Sequence, residues 1–305
     1  MLIGVALALA SAAFMAVGNL LQSRGVHLAE TKSTGRKDAT VHMLRNRVWL
    51  LGSVALVVAM IVQVASLAFA PLIVVQPIGV AALVFSVVMT SVIHKVRPSV
   101  AVLRSILLCV IGVGGFVVVA AIVSTQEPIE DTQLIAVLIT LGSVLLATAI
   151  IEILGKGRPT PPLLWVLLGG IYSAFVATLG KTVILRVQAI LKAHEMPFNS
   201  TDILTIVSIL GIGVAGGLSV IFVQRAHLDN PPEVVVAGLT VIDPTIAVIL
   251  GIVILREATN APPWAALAFL LAGATAMLGV FSLARAENAP RGTLTPTPSQ
   301  AEEKE

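Results

Sequence analysis

The chain has 305 residues, 57% of them hydrophobic and only 11% charged, with a mean hydropathy of +1.01. A water-soluble domain carries about a quarter charged residues, so this composition excludes a soluble enzyme or binding domain and points to a chain that lives in a bilayer. In such a chain a net charge of +3 is no nucleic-acid signal; its meaning lies in which side of the membrane holds the basic residues.

A spanning helix needs about 20 mostly apolar residues. Nine runs qualify in chain order: 2–22, 48–69, 71–93, 101–124, 132–154, 163–185, 202–224, 233–254 and 264–284. The first, opening MLIGVALALASAAF, lacks the basic start of a signal peptide, and its apolar run continues to about residue 21. It reads as a retained helix. Cys109, the single cysteine, sits inside the fourth run, so there is no disulfide framework and the thiol reads as a small buried apolar group.

With the N-terminus outside, fifteen of the 19 Lys and Arg residues fall on inside connections or the tail, from Arg24, Lys32 and Arg36 through Lys95, Arg97 and Arg104 to Arg285, Arg291 and Lys304. Arg186, Lys192 and Arg256 fall outside, and Lys181 lies within a span. The positive-inside rule therefore predicts an outside N-terminus and a cytoplasmic C-terminus in the plasma (inner) membrane, and nine spans have that parity. The last segment, RAENAPRGTLTPTPSQAEEKE (285–305), is polar and Pro-rich and reads as a disordered cytoplasmic tail.

Two spans interrupt their apolar runs with a polar residue followed by proline: Gln76-Pro77 in LIVVQPIGVAALVFSVV and Asp243-Pro244 in LTVIDPTIAVIL. In each, the rest of the helix leads through a short polar connection to another apolar, Gly-containing run. Spans two to four thus match spans seven to nine. An offset of five spans gives the copies opposite orientations, and inverted repeats with interrupted helices in matching places are the sequence pointer to a secondary transporter. The expected architecture is an all-α polytopic membrane protein of about nine helices arranged four plus five. Residues 1–124 form the first repeat and 125–284 the second, including the fifth helix.

IGVALALASAAFMAVGNLLQSRG followed by SLAFAPLIVVQPIGVAALVFSVV resembles the NIPA-type branch of the drug/metabolite transporter superfamily. DPTIAVILGIVILREATNAPPWAALAFLLAGATAMLGV resembles that superfamily's EamA-like repeat, in which a Pro is followed by a Glu at the helix end and then a Gly-containing helix; Pro244 and Glu257 match. The resemblance covers residues 1–124 and 163–284. His94 and Lys95 stand near the place where the family usually has an acid, a departure from the pattern. The resemblance implies alternating access around a central cavity, with magnesium as the cargo associated with NIPA-like proteins and metabolites, drugs or lipid-linked sugars in other branches.

Asp243 lies near the middle of its span, where a carboxylate costs about 2.5–3.5 kcal/mol on insertion scales. Two roles fit it, separately or together. It caps a helix broken at the Asp-Pro step, with Pro244 in the first helical position, or it binds a cation or exchanges a proton as a metal-binding candidate. Gln76 and Gln63 are neutral candidates whose ordinary role is hydrogen bonding between helices; Asn19, a further binding candidate, and Gln22 lie near the cytoplasmic end of the first helix, where solvation is the ordinary outcome. Lys181 shares a face with Gly170, Ala174 and Ala177. It either pairs with Asp243, holds an anionic group, or snorkels to the outer boundary, which its position favours. Glu152 and Glu257, at helix ends, read as solvated. RVQAILKAHEMPFNS after span six extends that helix or lies on the membrane surface.

The histidines show no metal-ligand spacing. HExxH, GxSxG and P-loop patterns are missing, and LGKGRPTP lacks the P-loop framework, so the expectation is a transporter with no cofactor and no enzymatic activity. The leading reading is a secondary transporter of a small solute or cation, Mg2+ among them. The alternatives are a flippase or exporter of an anionic or lipid-linked metabolite and a non-transporting partner subunit. The expected partners are the lipid bilayer and the small-molecule or ion substrate, with a second copy of the chain as a candidate homodimer partner and no nucleic acid.

Overall fold

A computed structural model describes residues 1–30, 46–94, 98–125, 129–155, 161–193, 200–230 and 232–288. These form ten α-helices: α1 (Leu2–Glu30), α2 (Arg47–Phe69), α3 (Leu72–Gly79), α4 (Ala81–His94), α5 (Val100–Val123), α6 (Asp131–Leu154), α7 (Pro162–Ala193), α8 (Ser200–Asp229), α9 (Pro232–Val253) and α10 (Pro263–Asn288), with no strand among the described residues. α3 and α4 share one span, so the described helices supply nine stretches long and apolar enough to cross a bilayer. The protein is an all-α polytopic membrane protein. Helices are the form in which such an apolar chain satisfies its own backbone in lipid.

Polar residues set the helix starts. The Asn46 side chain accepts from the Val48 amide at 2.8 Å and Ser99 from the Val102 amide at 3.3 Å, while Glu130 and Gln133 form a capping box at the start of α6. α2 stops at Ala70, whose extended backbone (φ −143°, ψ 153°) is the conformation a following proline, Pro71, imposes.

α1 packs along α2, α7 along α8 and α5 along α10, while α3 touches α1, α5 and α9. α3 lies at the centre, with every residue from Leu72 to Ile78 buried. α7 is the second central helix, with Tyr172, Phe175 and Leu179 fully enclosed. Val54, Ile111, Leu154 and Leu270 are among the large apolar side chains that point outward, as lipid-facing positions do. α5 and α10 meet almost backbone to backbone: a Cβ on Gly112 would stand 2.2 Å from the Ala276 nitrogen, and one on Gly279 2.5 Å from the Cys109 nitrogen.

The helix break expected at Asp243-Pro244 is not formed. α9 runs unbroken from Pro232 to Val253 with Pro244 inside it, so Asp243 caps nothing there. The interruption lies in the other half, at Val80 between α3 and α4, where the Val80 amide bonds back to Pro77 O at 3.2 Å and Leu83 to Val80 O at 3.1 Å. Of the two alternatives for the segment after span six, α7 takes the helical one as far as Ala193. Helix α10 carries the first tail residues, to Asn288. The rest of the tail, Lys95, Arg97, the Gly-Lys-Gly connection from Lys156 and the basic residues between 31 and 45 lie outside the described residues.

Candidate functional site

The bundle holds a partly open cavity of about 410 Å3 bordered by α1, α2, α3, α7 and α9, with Ser11, Gln63, Gln76, Ser173, Thr240 and Asp243 as its polar lining. Gln63, Gln76 and Asp243, far apart in the chain, therefore meet in one space. The approach of α9 to α7 depends on Gly170, where a Cβ would come within 2.6 Å of the Ile242 side chain. That close crossing lets Ser173, three residues on and on the same helix face, donate from its Oγ to Asp243 Oδ2 at 2.6 Å. Sequence reasoning missed Ser173, although its spacing from Gly170 places it on the small-residue face.

Asp243 Oδ1 is buried and has no hydrogen-bond partner among the described residues. A carboxylate at mid-span costs about 2.5–3.5 kcal/mol, and one hydrogen bond to a charged group returns about 1.5–3 kcal/mol. The second oxygen is left with nothing from the described residues. Buried polar groups are nearly always satisfied, so an orphaned carboxylate oxygen on a residue that lines a cavity marks a group with unused capacity for a ligand. Pro244 adds to this: lacking an amide proton, it cannot close the helical bond to the Thr240 carbonyl, and Thr240 lines the same cavity.

Lys181 neither snorkels nor pairs with Asp243. It is 2% exposed and ion-paired with Glu257 Oε1, and its ammonium also donates to Ala70 O at 3.2 Å. Glu257 is 3% exposed, not solvated. Its Oε1 and Oε2 accept from the Leu72 and Ile73 amides, each at 2.9 Å. The physical reason is the start of α3 inside the bundle: its first amides have no intrahelical partner, Pro71 provides no side-chain cap, and a carboxylate from the link after α9 takes that place. The link turns at Arg256 with φ 57°, which aims Glu257 inward. Lys181 then neutralises the carboxylate. No local sequence signal joins positions 72, 181 and 257.

The pair sits at the end of the bundle that carries the N-terminus, since a Cβ on Gly4 would meet Ala70 and the Thr125 amide donates to Glu257 O at 2.8 Å. Arg186 and Asp131 form a second ion pair towards the same end. At the opposite end Arg225 pairs with Glu152 and lies over the Trp165 ring at 5.0 Å. Thus Glu152 is paired as well, though its side chain stays 40% exposed. Asn19 is exposed and outside the cavity lining, while Gln22 donates to Ser53 Oγ at 3.0 Å. Among the described residues there is no group of three or more His, Cys, Asp or Glu side chains able to cage a metal.

Among the described residues, nine apolar spans, five helices bordering a cavity and a carboxylate oxygen left unsatisfied define a multi-pass helical membrane protein with polar side chains gathered inside it. Residues 1–289 match the model of the magnesium transporter NIPA family. The chain belongs to that family, part of the drug/metabolite transporter superfamily. It is 23% identical over 203 residues to a protein of Arabidopsis thaliana described as probable magnesium transporter NIPA1, a match covering 65% of this chain and 59% of that protein. No solved structure matches the chain.

Proposed function

We propose that the protein is a secondary-active transporter that moves a small cation, Mg2+ first among them, by alternating access through the cavity at Asp243. The observation that carries this reading is Asp243 at mid-span, lining a mostly apolar cavity and keeping one buried carboxylate oxygen that no described residue satisfies. Carboxylates in such positions mark ion pathways. Among the described residues the cavity lining carries one acid and no basic side chain, so its charge attracts cations. Lys181, which would have favoured an anionic or lipid-linked cargo, is committed to Glu257.

Alternating access draws support from the way the halves pack. α1 lies on α2 as α7 lies on α8, five spans later, and the cavity collects helices from both groups, as inverted-repeat transporters do. In the N-outside orientation favoured by the basic residues, in the plasma membrane, the Lys181–Glu257 pair lies towards the outer end and Arg225–Glu152 towards the inner.

The test is Mg2+ flux into proteoliposomes carrying the purified protein, wild type against Asp243→Asn. Asn has the same shape and still accepts from Ser173, so the variant is expected to fold while its flux falls by about tenfold or more, the equivalent of at least 1.4 kcal/mol. Wild-type flux in the variant would remove Asp243 from the pathway. A wild type that moves small anions and no divalent cation would overturn the cation reading.

A further inference from the structure

We propose that the cavity takes its divalent cation with the water shell largely intact, recognising the outward-pointing hydrogens of bound water rather than the metal itself. This rests on the reading of Asp243 as the group that meets the cargo.

The donor set argues against a stripped ion. Mg2+ holds six oxygens in near-ideal octahedral geometry and gives up water reluctantly. Replacing its shell would need several anionic or carbonyl oxygens converging on one point. The cavity lining contains one carboxylate, and Ser173 already occupies one of its oxygens.

The remaining polar groups suit a hydrated ion. The Ser11 hydroxyl donates its proton to Ala59 O at 2.8 Å, and the Thr240 hydroxyl donates to Val236 O at 2.7 Å. With those protons committed, both oxygens offer only lone pairs to the space. The Asp243 carboxylate is an acceptor only, and Gln63 and Gln76 each bring an amide oxygen beside an NH2 group, so acceptors predominate. A hydrated divalent cation presents a shell of polarised O–H donors, the complement of such a lining. Size agrees: six waters at about 30 Å3 each fit within the cavity of about 410 Å3.

Hexaamminecobalt(III) separates the two modes, because its six ammine ligands do not exchange and its surface is a shell of N–H donors. Calorimetric titration of the full-length protein in detergent with Mg2+, alone and with saturating hexaamminecobalt(III), gives the answer. The complex is expected to bind wild type and to weaken apparent Mg2+ affinity by about tenfold or more, with both ligands losing at least that factor in Asp243→Asn. If Mg2+ binds through Asp243 and the complex does not compete, the ion is held directly; the hydrated mode is overturned while the cargo reading stands. If the complex binds Asp243→Asn as well as it binds wild type, its contact lies elsewhere and the inference fails. If neither ligand binds wild type, the cargo reading falls and takes the inference with it. Competition in the wild type decides the mode without the variant.

Discussion

The two proline-bearing spans look alike in sequence and behave differently in the fold. Gln76-Pro77 and Asp243-Pro244 each place a polar residue and a missing amide in the middle of an apolar run, yet only the first span is interrupted, at Val80. A proline costs one ladder bond in either place, so the difference comes from the residues on its C-terminal side. Gly79 stands two residues after Pro77, and glycine weakens a helix by about 1 kcal/mol. After Pro244 the next glycine is Gly251, and in an apolar setting the helix recloses because its backbone has no other partner. The second contrast is charge. Gln76 is neutral and buried, whereas Asp243 keeps one carboxylate oxygen free. One half of the molecule supplies the backbone interruption and the other supplies the charge.

The first way to break this comparison is at the start of α3, where the effect is largest. Glu257→Ala removes the acceptor for two buried amides and strands the Lys181 ammonium. Removing one partner of a buried ion pair costs about 3–5 kcal/mol, so this variant is expected to lose more thermal stability in detergent than any substitution at Gln76, Gly79 or Asp243. Lys181→Met combined with Glu257→Gln is expected to recover most of that loss, since no uncompensated charge is left buried. Equal instability of single and double variants would mean that the pair is not what holds α3 in place.

Moving the charge across the comparison sharpens it. Gln76 and Asp243 line one cavity, so Gln76→Asp placed in the Asp243→Asn background returns a carboxylate to the same space from the other half. Stabilisation by Mg2+, about 2.7 kcal/mol when the ion is at 100 times its dissociation constant, is expected to vanish in Asp243→Asn and to return in part in the double variant. A thermal-shift titration reads both. No recovery would show that the position of the carboxylate beside Ser173, and not the charge of the cavity, determines binding.

The interruption itself is open to a smaller test. A Cβ on Gly79 meets nothing within 4 Å, so Gly79→Ala is free of clashes and lowers the backbone entropy of the unfolded chain. It is expected to stabilise the protein by about 0.4–1 kcal/mol. Denaturation of wild type and variant in the same detergent measures the gain. A loss of stability would mean that the interruption at Val80 is required by the packing around α3 and is not merely allowed by glycine.

The same division runs through how much of the fold and site was legible in the sequence. Span number and class were plain, because long apolar runs admit one solution in lipid. Asp243, Gln63 and Gln76 stood out because polar groups in such runs need a reason, and the fold brings them to one cavity. The misplaced break came from reading Asp-Pro by the rules of helix starts in water, where a side-chain cap competes with the ladder on equal terms. Lys181 and Glu257 were misread for a different cause. Each lies near the end of an apolar run, where solvation is the ordinary outcome, and burial results only from a contact between positions 76 residues apart with the first amides of α3 as the third partner.

The smallest effect is expected on the face that the comparison leaves out. Asn19 stood beside Asp243 among the polar residues of the spans, but it is exposed on α1 and outside the cavity lining. Its neighbour Gly18 turns inward against Leu56, and one residue along a helix is a rotation of about 100°, which carries Asn19 off that packed face. Asn19→Leu removes a polar group with no part in the cavity, so Mg2+ flux and Mg2+-dependent stabilisation are both expected to match wild type. A large loss in either would place part of the pathway on the outer face of α1 and would move the binding site away from the five helices around Asp243.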